Sequence, residues 1–280
     1  YLPLEGGGAC CYRLWKKMKL IVQSHETFIY TAGREIDHGL PSVLFVHGAA
    51  NDHSVWALQS RYFAYHGWNA LALDLPGHGA SNGKPHAAVG AMADWLAALL
   101  NELKIERAAI VGHSMGSLAA LETAARYPQK ISKLVMVGTA VPMAVSDTLL
   151  NAAIANEHAA FDMVNIWGHT ANAQIGSNPL PGVWMAGDFL RLLEKSKRDV
   201  LGNDLKACND YKDGIAAAAK VTCPALLLLG KQDMMTSPKM TKEVTGKLKD
   251  CRLVVLDRAG HIPMAEEPDA TLDALKQFLN

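Results

Sequence analysis

Five residues, Gly112-His113-Ser114-Met115-Gly116, place the strongest constraint on the fold of this chain. An apolar run at 108–111 precedes them, and a helix-forming run follows directly. The pattern predicts a buried strand, a tight turn and a helix, with Ser114 exposed at the positive N-terminal end of that helix. The two glycines permit the close backbone approach that such a turn requires. A turn without chemistry is the alternative, because short patterns also match by chance.

Strands and helices are predicted to alternate over most of the chain. Compact apolar runs predict the strands of this pattern at 42–46, 69–73, 108–111, 133–137, 224–229 and 252–256. Two further strands, 19–23 and 27–31, are predicted to form an opening hairpin joined by 24–26. Short connections between alternating strands and helices indicate a parallel sheet covered on both faces. The predicted fold class is α/β, with a mostly parallel central sheet flanked by helices.

The alternation stops between residues 141 and 220, where helical and loop-like pieces contain no convincing strand. We expect one α/β core, 18–140 and 221–280, with residues 141–220 inserted as a helical cap over one end of the sheet. Residues 1–17 lack periodicity and the apolar centre of a signal peptide. We expect them to be a leader or an added arm before a native start at Met18; a short genuine N-terminal arm is the alternative.

Charge and cysteine content argue against several classes of partner. Lys plus Arg and Asp plus Glu both number 27, so nothing indicates nucleic acid or an anionic membrane surface. The five cysteines form no C-x-x-C pair or metal-ligand cluster, which favours free thiols in the cytoplasm. No apolar run reaches the roughly 18 to 20 residues of a membrane span. We expect no metal or cofactor, and a monomer or a small homo-oligomer.

Polar residues that follow four of the predicted strands belong on one edge of the sheet, where open parallel sheets bind ligands. They include His47, Ser114, Asp233 and His261. A serine hydroxyl needs a base, and histidine titrates in the right range. A carboxylate fixes the tautomer of that histidine and stabilises its charged form. Ser114, His261 and Asp233 are therefore the candidate nucleophile, base and orienting acid, in the chain order Ser, Asp, His.

Each of these residues also has a simpler interpretation. Asp233 could cap the helix that follows it, and His261 could be structural. Asp257 is nearer to His261 in sequence, but it ends a strand directly and lacks a loop that would bring it to the histidine. Four other polar residues are interpreted as packing, pocket or loop-stabilising groups: His47, His113, Asp74 and His78.

Five stretches, in this order, resemble the α/β-hydrolase superfamily and its small soluble serine hydrolases. They are Val46-His47-Gly48, Asp74-Leu75-Pro76-Gly77-His78-Gly79-Ala80-Ser81, Gly112-His113-Ser114-Met115-Gly116, Leu229-Gly230-Lys231-Gln232-Asp233 and Ala259-Gly260-His261. The resemblance covers almost everything except residues 1–17 and the insertion. It implies that Ser114 attacks a carbonyl and that the backbone N–H groups of Ala49 and Met115 form the oxyanion hole. His-Gly-Ala-Ala stands where some lipases and esterases have His-Gly-Gly-Gly, which argues against those subfamilies.

The insertion resembles the helical lid of this family. Its apolar side chains would form a ceiling over Ser114: Phe161, Met163, Trp167, Trp184 and Met185. His47 and Ile262 are further candidate pocket residues. Packing within the lid itself is the alternative for each lid residue.

These features predict a serine hydrolase that cleaves small-molecule carboxylic esters of small to medium acyl chain through an acyl-enzyme. The same three residues also serve C–C hydrolases of ring-cleavage products and enol-lactonases of this fold. A ligand receptor with slow hydrolysis is the alternative from another class. Epoxide hydrolases and haloalkane dehalogenases use an aspartate nucleophile, so Ser114 argues against both.

Overall fold

The computed structural model describes residues 18–176 and 182–280, and the predicted leader or arm at 1–17 lies outside them. The described residues form eight strands. They are β1 (Met18–Val22), β2 (His25–Tyr30), β3 (Ser42–Val46), β4 (Asn69–Leu73), β5 (Ala108–His113), β6 (Ile131–Val137), β7 (Ala225–Gly230) and β8 (Cys251–Leu256).

The eight strands form a single sheet in the order β1-β2-β4-β3-β5-β6-β7-β8. The pairs β1–β2 and β2–β4 are antiparallel, and the other pairs are parallel. The predicted mostly parallel sheet is therefore confirmed. The opening hairpin is also present, but its turn is Gln23-Ser24, with φ of 47° and 70°, and not residues 24–26. A turn of two residues with positive φ matches the twist of paired strands, so two residues are enough to connect β1 and β2.

Twelve α-helices lie within the described ranges. They are α1 (Ala57–Ala64), α2 (Val89–Glu102), α3 (Met115–Arg126), α4 (Asp147–Ile154), α5 (His158–Gly168), α6 (Ala171–Gln174), α7 (Met185–Glu194), α8 (Val200–Asp210), α9 (Gly214–Lys220), α10 (Lys242–Lys247), α11 (Pro263–Glu266) and α12 (Pro268–Leu279). Short 3-10 turns, His53–Trp56 and Pro238–Thr241, precede α1 and α10. Asp52 caps the first of them, accepting from Ser54 N at 2.8 Å.

Two apolar cores cover the two faces of the sheet. Side chains of β3 alternate between them: Leu44 and Val46 join the core under α2 and α3, whereas Val43 and Phe45 join the core under α1 and α12. All five residues of β3 are buried, as the continuous apolar run predicted for a parallel strand between two helix layers.

The described residues between β6 and β7 contain helices and no strand. Helix α4 packs against α5 and α8, and α5 packs against α7. Helix α9 packs against α3 and α10, so it lies in the helix layer that covers the sheet. None of the helices in the described ranges combines the length and apolar character that crossing a bilayer requires. Three cysteines lie in those ranges, Cys208, Cys223 and Cys251, and all are free thiols.

Candidate active site

Ser114 occupies a strained turn between β5 and α3. Its φ is 51° and its ψ −120°, values that side chains normally disfavour. Its N–H donates to Val137 O of β6 at 2.9 Å. A Cβ on Gly116 would lie 2.5 Å from His47 O, and one on Gly112 would overlap the Gly116 carbonyl. Only glycine at these two positions lets strand, loop and helix meet closely enough to form the turn.

Asp233 and His261 meet although 28 residues separate them. His261 Nδ1 lies 2.9 Å from Asp233 Oδ2, and both residues are buried. Asp233 also accepts from Thr236 Oγ1 at 2.6 Å, and from the N–H groups of Met235 and Thr236 at 2.8 and 2.7 Å. A carboxylate with four donors is held in one orientation, so it fixes the imidazole in turn.

The pKa of Asp233 lies well below its usual range. Burial by itself would raise this pKa, but the charge and hydrogen bond of His261 and the Thr236 donors outweigh burial. Asp233 is therefore ionised at neutral pH. Asp257, the competing acid, is exposed and pairs with Lys231 Nζ at 2.8 Å.

The loop that carries His261 is bound to helices of the insertion. His261 N donates to Gly168 O, the last residue of α5, at 3.0 Å. The buried Glu266 carboxylate accepts from the N–H of Gly260 and, at 2.7 Å, from Thr170 N. This carboxylate was not identified from the sequence, where it stands in an ordinary helix-starting segment.

His113 connects the turn of Ser114 with the loop of His261. His113 Nε2 donates to His261 O at 2.9 Å, and the two rings lie 4.9 Å apart. Burial lowers the pKa of His113 to about 3, so the ring is neutral. Between Ser114 Oγ and His261 Nε2 the described residues form no hydrogen bond. Such bonds are often long until substrate binds.

The loop after β3 lies against the candidate nucleophile. A Cβ on Gly48 would lie 3.2 Å from Ser114 Cβ, so the next residue, Ala49, begins beside the serine. Among the described residues, neither Ala49 N–H nor Met115 N–H has a hydrogen-bond acceptor. Two free backbone donors next to a serine are the components of an oxyanion hole.

His47 holds this loop in place from within the core. Because 0% of the residue is exposed, the prediction that it lines the substrate pocket is wrong. Its Nε2 accepts from Leu75 N at 3.1 Å, so Nδ1 carries the proton and donates to Gly48 O at 2.8 Å. Burial lowers the pKa of His47 to about 4. In a trans peptide the N–H points opposite to the carbonyl. Holding Gly48 O therefore also fixes the direction of Ala49 N–H.

A buried charge pair supports the same loop from α8. Asp204 Oδ2 lies 2.7 Å from His78 Nε2 and accepts from Ala50 N at 2.9 Å. His78 Nδ1 faces Pro76 O at 3.0 Å. Because both partners of the ring can only accept, both nitrogens donate and His78 is an imidazolium. The prediction that His78 stabilises its own loop holds, and Asp204 is a partner that the sequence did not reveal.

The predicted ceiling residues occupy different environments. Phe161, Met163 and Trp167 are partly buried against the core under α1 and α12. Met185 and Ile262 are buried and line one cavity of about 210 Å³. Trp184 is 63% exposed, and its Nε1 donates to Gln174 O at 3.4 Å. Its position at the surface does not fit a side chain that closes over Ser114.

One group of possible metal ligands occurs among the described residues, namely Asp52, His53 and Asp74, with ligand atoms within 4.8 Å of one another. Asp74 Oδ1 accepts from His53 Nδ1 at 2.7 Å, and Oδ2 accepts from Ala80 N at 2.8 Å. These hydrogen bonds join the loop after β3 to the loop after β4, and they explain why the three side chains lie together.

Comparisons with known proteins agree with this architecture. A pimeloyl-[acyl-carrier protein] methyl ester esterase of Neisseria meningitidis is 26% identical over 253 residues, covering 88% of this chain and 95% of the relative. The enol-lactonase of Burkholderia xenovorans superposes with a TM-score of 0.82 at 23% identity, covering 94% of this chain and 99% of that one. An esterase of Exiguobacterium antarcticum gives 0.81 at 18% identity, covering 94% and 99%.

The family assignment rests on a match over most of the chain. The model of the α/β hydrolase family matches residues 43–274, from β3 to α12. That range includes the turn of Ser114, the Asp233–His261 pair and the helices between β6 and β7. The chain belongs to the α/β hydrolase family.

Proposed function

We propose that this protein is a serine hydrolase that cleaves carboxylic esters of small to medium acyl chain. The observation that carries the proposal is the buried Asp233–His261 hydrogen bond next to the strained turn of Ser114. The similarity to the Neisseria methyl ester esterase supports an ester as the substrate. The proposed chemistry needs no cofactor.

In the proposed reaction, Ser114 Oγ attacks the ester carbonyl while His261 Nε2 takes its proton. Asp233 keeps the proton of Nδ1 in place and stabilises the imidazolium that forms. The negative oxygen of the tetrahedral intermediate accepts hydrogen bonds from Ala49 N–H and Met115 N–H. The intermediate expels the alcohol, which takes the proton from His261.

The second half of the reaction uses the same groups. Water gives a proton to His261 and attacks the acyl-enzyme carbonyl, and collapse of this intermediate returns the proton to Ser114 and releases the acid. Helices of residues 141–220 act as the cap over this site, with Met185 and Ile262 in the substrate pocket. A cytoplasmic location and a monomer or small homo-oligomer remain predictions.

Turnover of p-nitrophenyl acetate, butyrate and octanoate by wild type and Ser114→Ala tests the proposal. We expect hydrolysis that depends on chain length and is lost in the variant. Negligible turnover of all three esters would contradict the ester assignment and direct attention to lactones or C–C substrates. A stoichiometric burst without turnover would favour the receptor alternative.

A matched pair of variants tests the choice of the acid in the same assay. Asp233→Asn should fold normally but lower kcat by about three to four orders of magnitude, because the imidazole loses its orienting carboxylate. Asp257→Asn removes an exposed carboxylate that contacts Lys231 and should change kcat little. The reverse result would mean that Asp257 is the acid.

A further inference from the structure

A cavity of about 210 Å³ opens beside the candidate base. Ile262, which directly follows His261, forms part of its wall, and α1 and α7 form other parts. The lining is mostly apolar and includes Met185, Phe189, Leu192 and Met264. His169 is the only histidine among these lining residues.

The backbone next to the candidate base contacts the residues that line the cavity. His261 N donates to Gly168 O, and Gly168 directly precedes His169. A Cβ on Gly168 would lie 3.5 Å from Ile262 Cδ1, so the backbone at 168 and the side chain at 262 are in contact. The backbone of the His261 loop is therefore adjacent to the part of the cavity that Ile262 and His169 line.

His169 presents a hydrogen-bond acceptor there. The residue is 3% exposed, and its ring edge packs against Phe189 at 5.3 Å. Its Nδ1 lies 2.9 Å from Asn165 O, a carbonyl that can only accept, so Nδ1 carries a proton. Burial lowers the pKa of His169, which keeps the ring neutral. Nε2 is therefore an unprotonated acceptor.

The Nε2 atom of His169 has no protein partner. Among the described residues, no hydrogen bond reaches this atom. Unlike Nδ1 of His113, it is also not sealed off from open space. An acceptor that faces open space in a mostly apolar cavity is available to a ligand that donates a hydrogen bond to it.

We propose that the cavity binds the alcohol portion of the ester and that His169 Nε2 accepts a hydrogen bond from a hydroxyl group on that portion. This inference rests on the proposed ester hydrolysis. The alcohol belongs on this side because His261 must hand its proton to the leaving oxygen. The substrate class is then a monoester of a diol, with a short hydrocarbon chain between the ester oxygen and the free hydroxyl.

The other lining residues agree with this class. The apolar side chains suit the hydrocarbon chain, which gains by leaving water. Asp188, an exposed carboxylate that lines the cavity, disfavours an anionic group there. A neutral hydroxyl is therefore favoured over a carboxylate on the leaving group.

Two series of butyrate esters test the inference. Hydroxyethyl to hydroxyhexyl butyrates, with the hydroxyl at the chain end, are compared with propyl to heptyl butyrates of equal heavy-atom number. At one or two neighbouring lengths, wild type should prefer the hydroxyl ester by about five- to tenfold in kcat/KM, the value of one neutral hydrogen bond.

Variants identify the acceptor. His169→Phe keeps the ring volume but has no acceptor, so the preference should disappear, whereas the amide oxygen of His169→Gln should retain part of it. His158→Phe makes the same change at an exposed histidine of α5 and should keep the wild-type preference.

Three outcomes would overturn the inference. One is hydrolysis of the alkyl butyrates without any hydroxyl preference, which leaves the ester hydrolase proposal intact. Another is a preference that survives in His169→Phe or disappears in His158→Phe. Lack of turnover of both series by wild type would overturn the ester hydrolase proposal together with this one.

Discussion

Substitution of Asp204 by asparagine should destabilise the folded protein strongly. The Asp204 carboxylate is 0% exposed, and one of its oxygens contacts both His78 Nε2 and Ala50 N. An amide has one acceptor oxygen and no charge. The variant therefore leaves the buried imidazolium of His78 without its counter-charge, or turns an N–H group towards the N–H of Ala50.

The size of the loss follows from the burial of the pair. Removing one partner of a buried ion pair costs about 3–5 kcal/mol in the free energy of unfolding. A change of 1 kcal/mol shifts Tm by roughly 2–4 °C in a chain of this size. We therefore expect a fall in Tm of about 6–20 °C for Asp204→Asn.

The loss should depend on pH in a definite direction. Burial alone would lower the pKa of His78, but Asp204 outweighs burial and raises it in the folded protein. The unfolded value is about 6.5. The stabilisation by the charged pair is therefore complete below about pH 6.5 and is lost as pH rises through the folded pKa. The difference between wild type and variant should shrink in that upper range.

Thermal unfolding followed by circular dichroism over a series of pH values measures both effects. Asp210→Asn is the matched control, because Asp210 lies on the same helix and pairs with Lys206 at the surface. That pair is exposed to water, which screens it, so its loss should change Tm little. An Asp204→Asn variant that melts within about 2 °C of wild type, or that loses the same stability at every pH, would refute the buried charge pair.

Two other substitutions test the supports of Ser114 and His261. Gly116→Ala should lose about 1–3 kcal/mol in denaturant unfolding, because its Cβ would meet backbone carbonyls at 2.5 Å. Gly246→Ala, with open space at its Cβ, should be neutral or slightly stabilising, and equal losses would contradict this account. Glu266→Gln should lower kcat about tenfold with little change in KM, because its amide N–H would face Gly260 N–H or Thr170 N–H. An unchanged kcat in steady-state assays would assign Glu266 a purely structural role.

Local sequence patterns predicted most of the sheet and the positions of the three candidate catalytic residues. Strands β3 and β4 match their predicted bounds, because short apolar runs between turn residues leave little choice of register. Asp233 and His261 were identified because parallel strands end at one edge of the sheet. That rule needs only the order of elements, which the alternating pattern supplies.

Contacts across long sequence separations could not be predicted in this way. Asp204 meets His78 across 126 residues, and Glu266 meets Thr170 across 96. Nothing near these acids in sequence distinguishes them from ordinary helix-surface carboxylates, since only tertiary packing buries them. The exposed position of Trp184 was also missed. A large apolar side chain predicts burial, but the sequence does not determine which face of the helix packs against a neighbour.

The hydrogen bonds from the insertion to the loop of His261 have a consequence for protein engineering. Exchanging the helices between β6 and β7 for those of a relative is an obvious route to new substrate selectivity. Here that exchange would also remove Gly168 O, Thr170 N–H and Asp204. Glu266 would lose one of its two N–H donors, and His78 would lose its counter-charge. A chimaera therefore needs compensating changes in the recipient core, and grafts that keep residues 168–170 and 204 should tolerate the widest variation elsewhere.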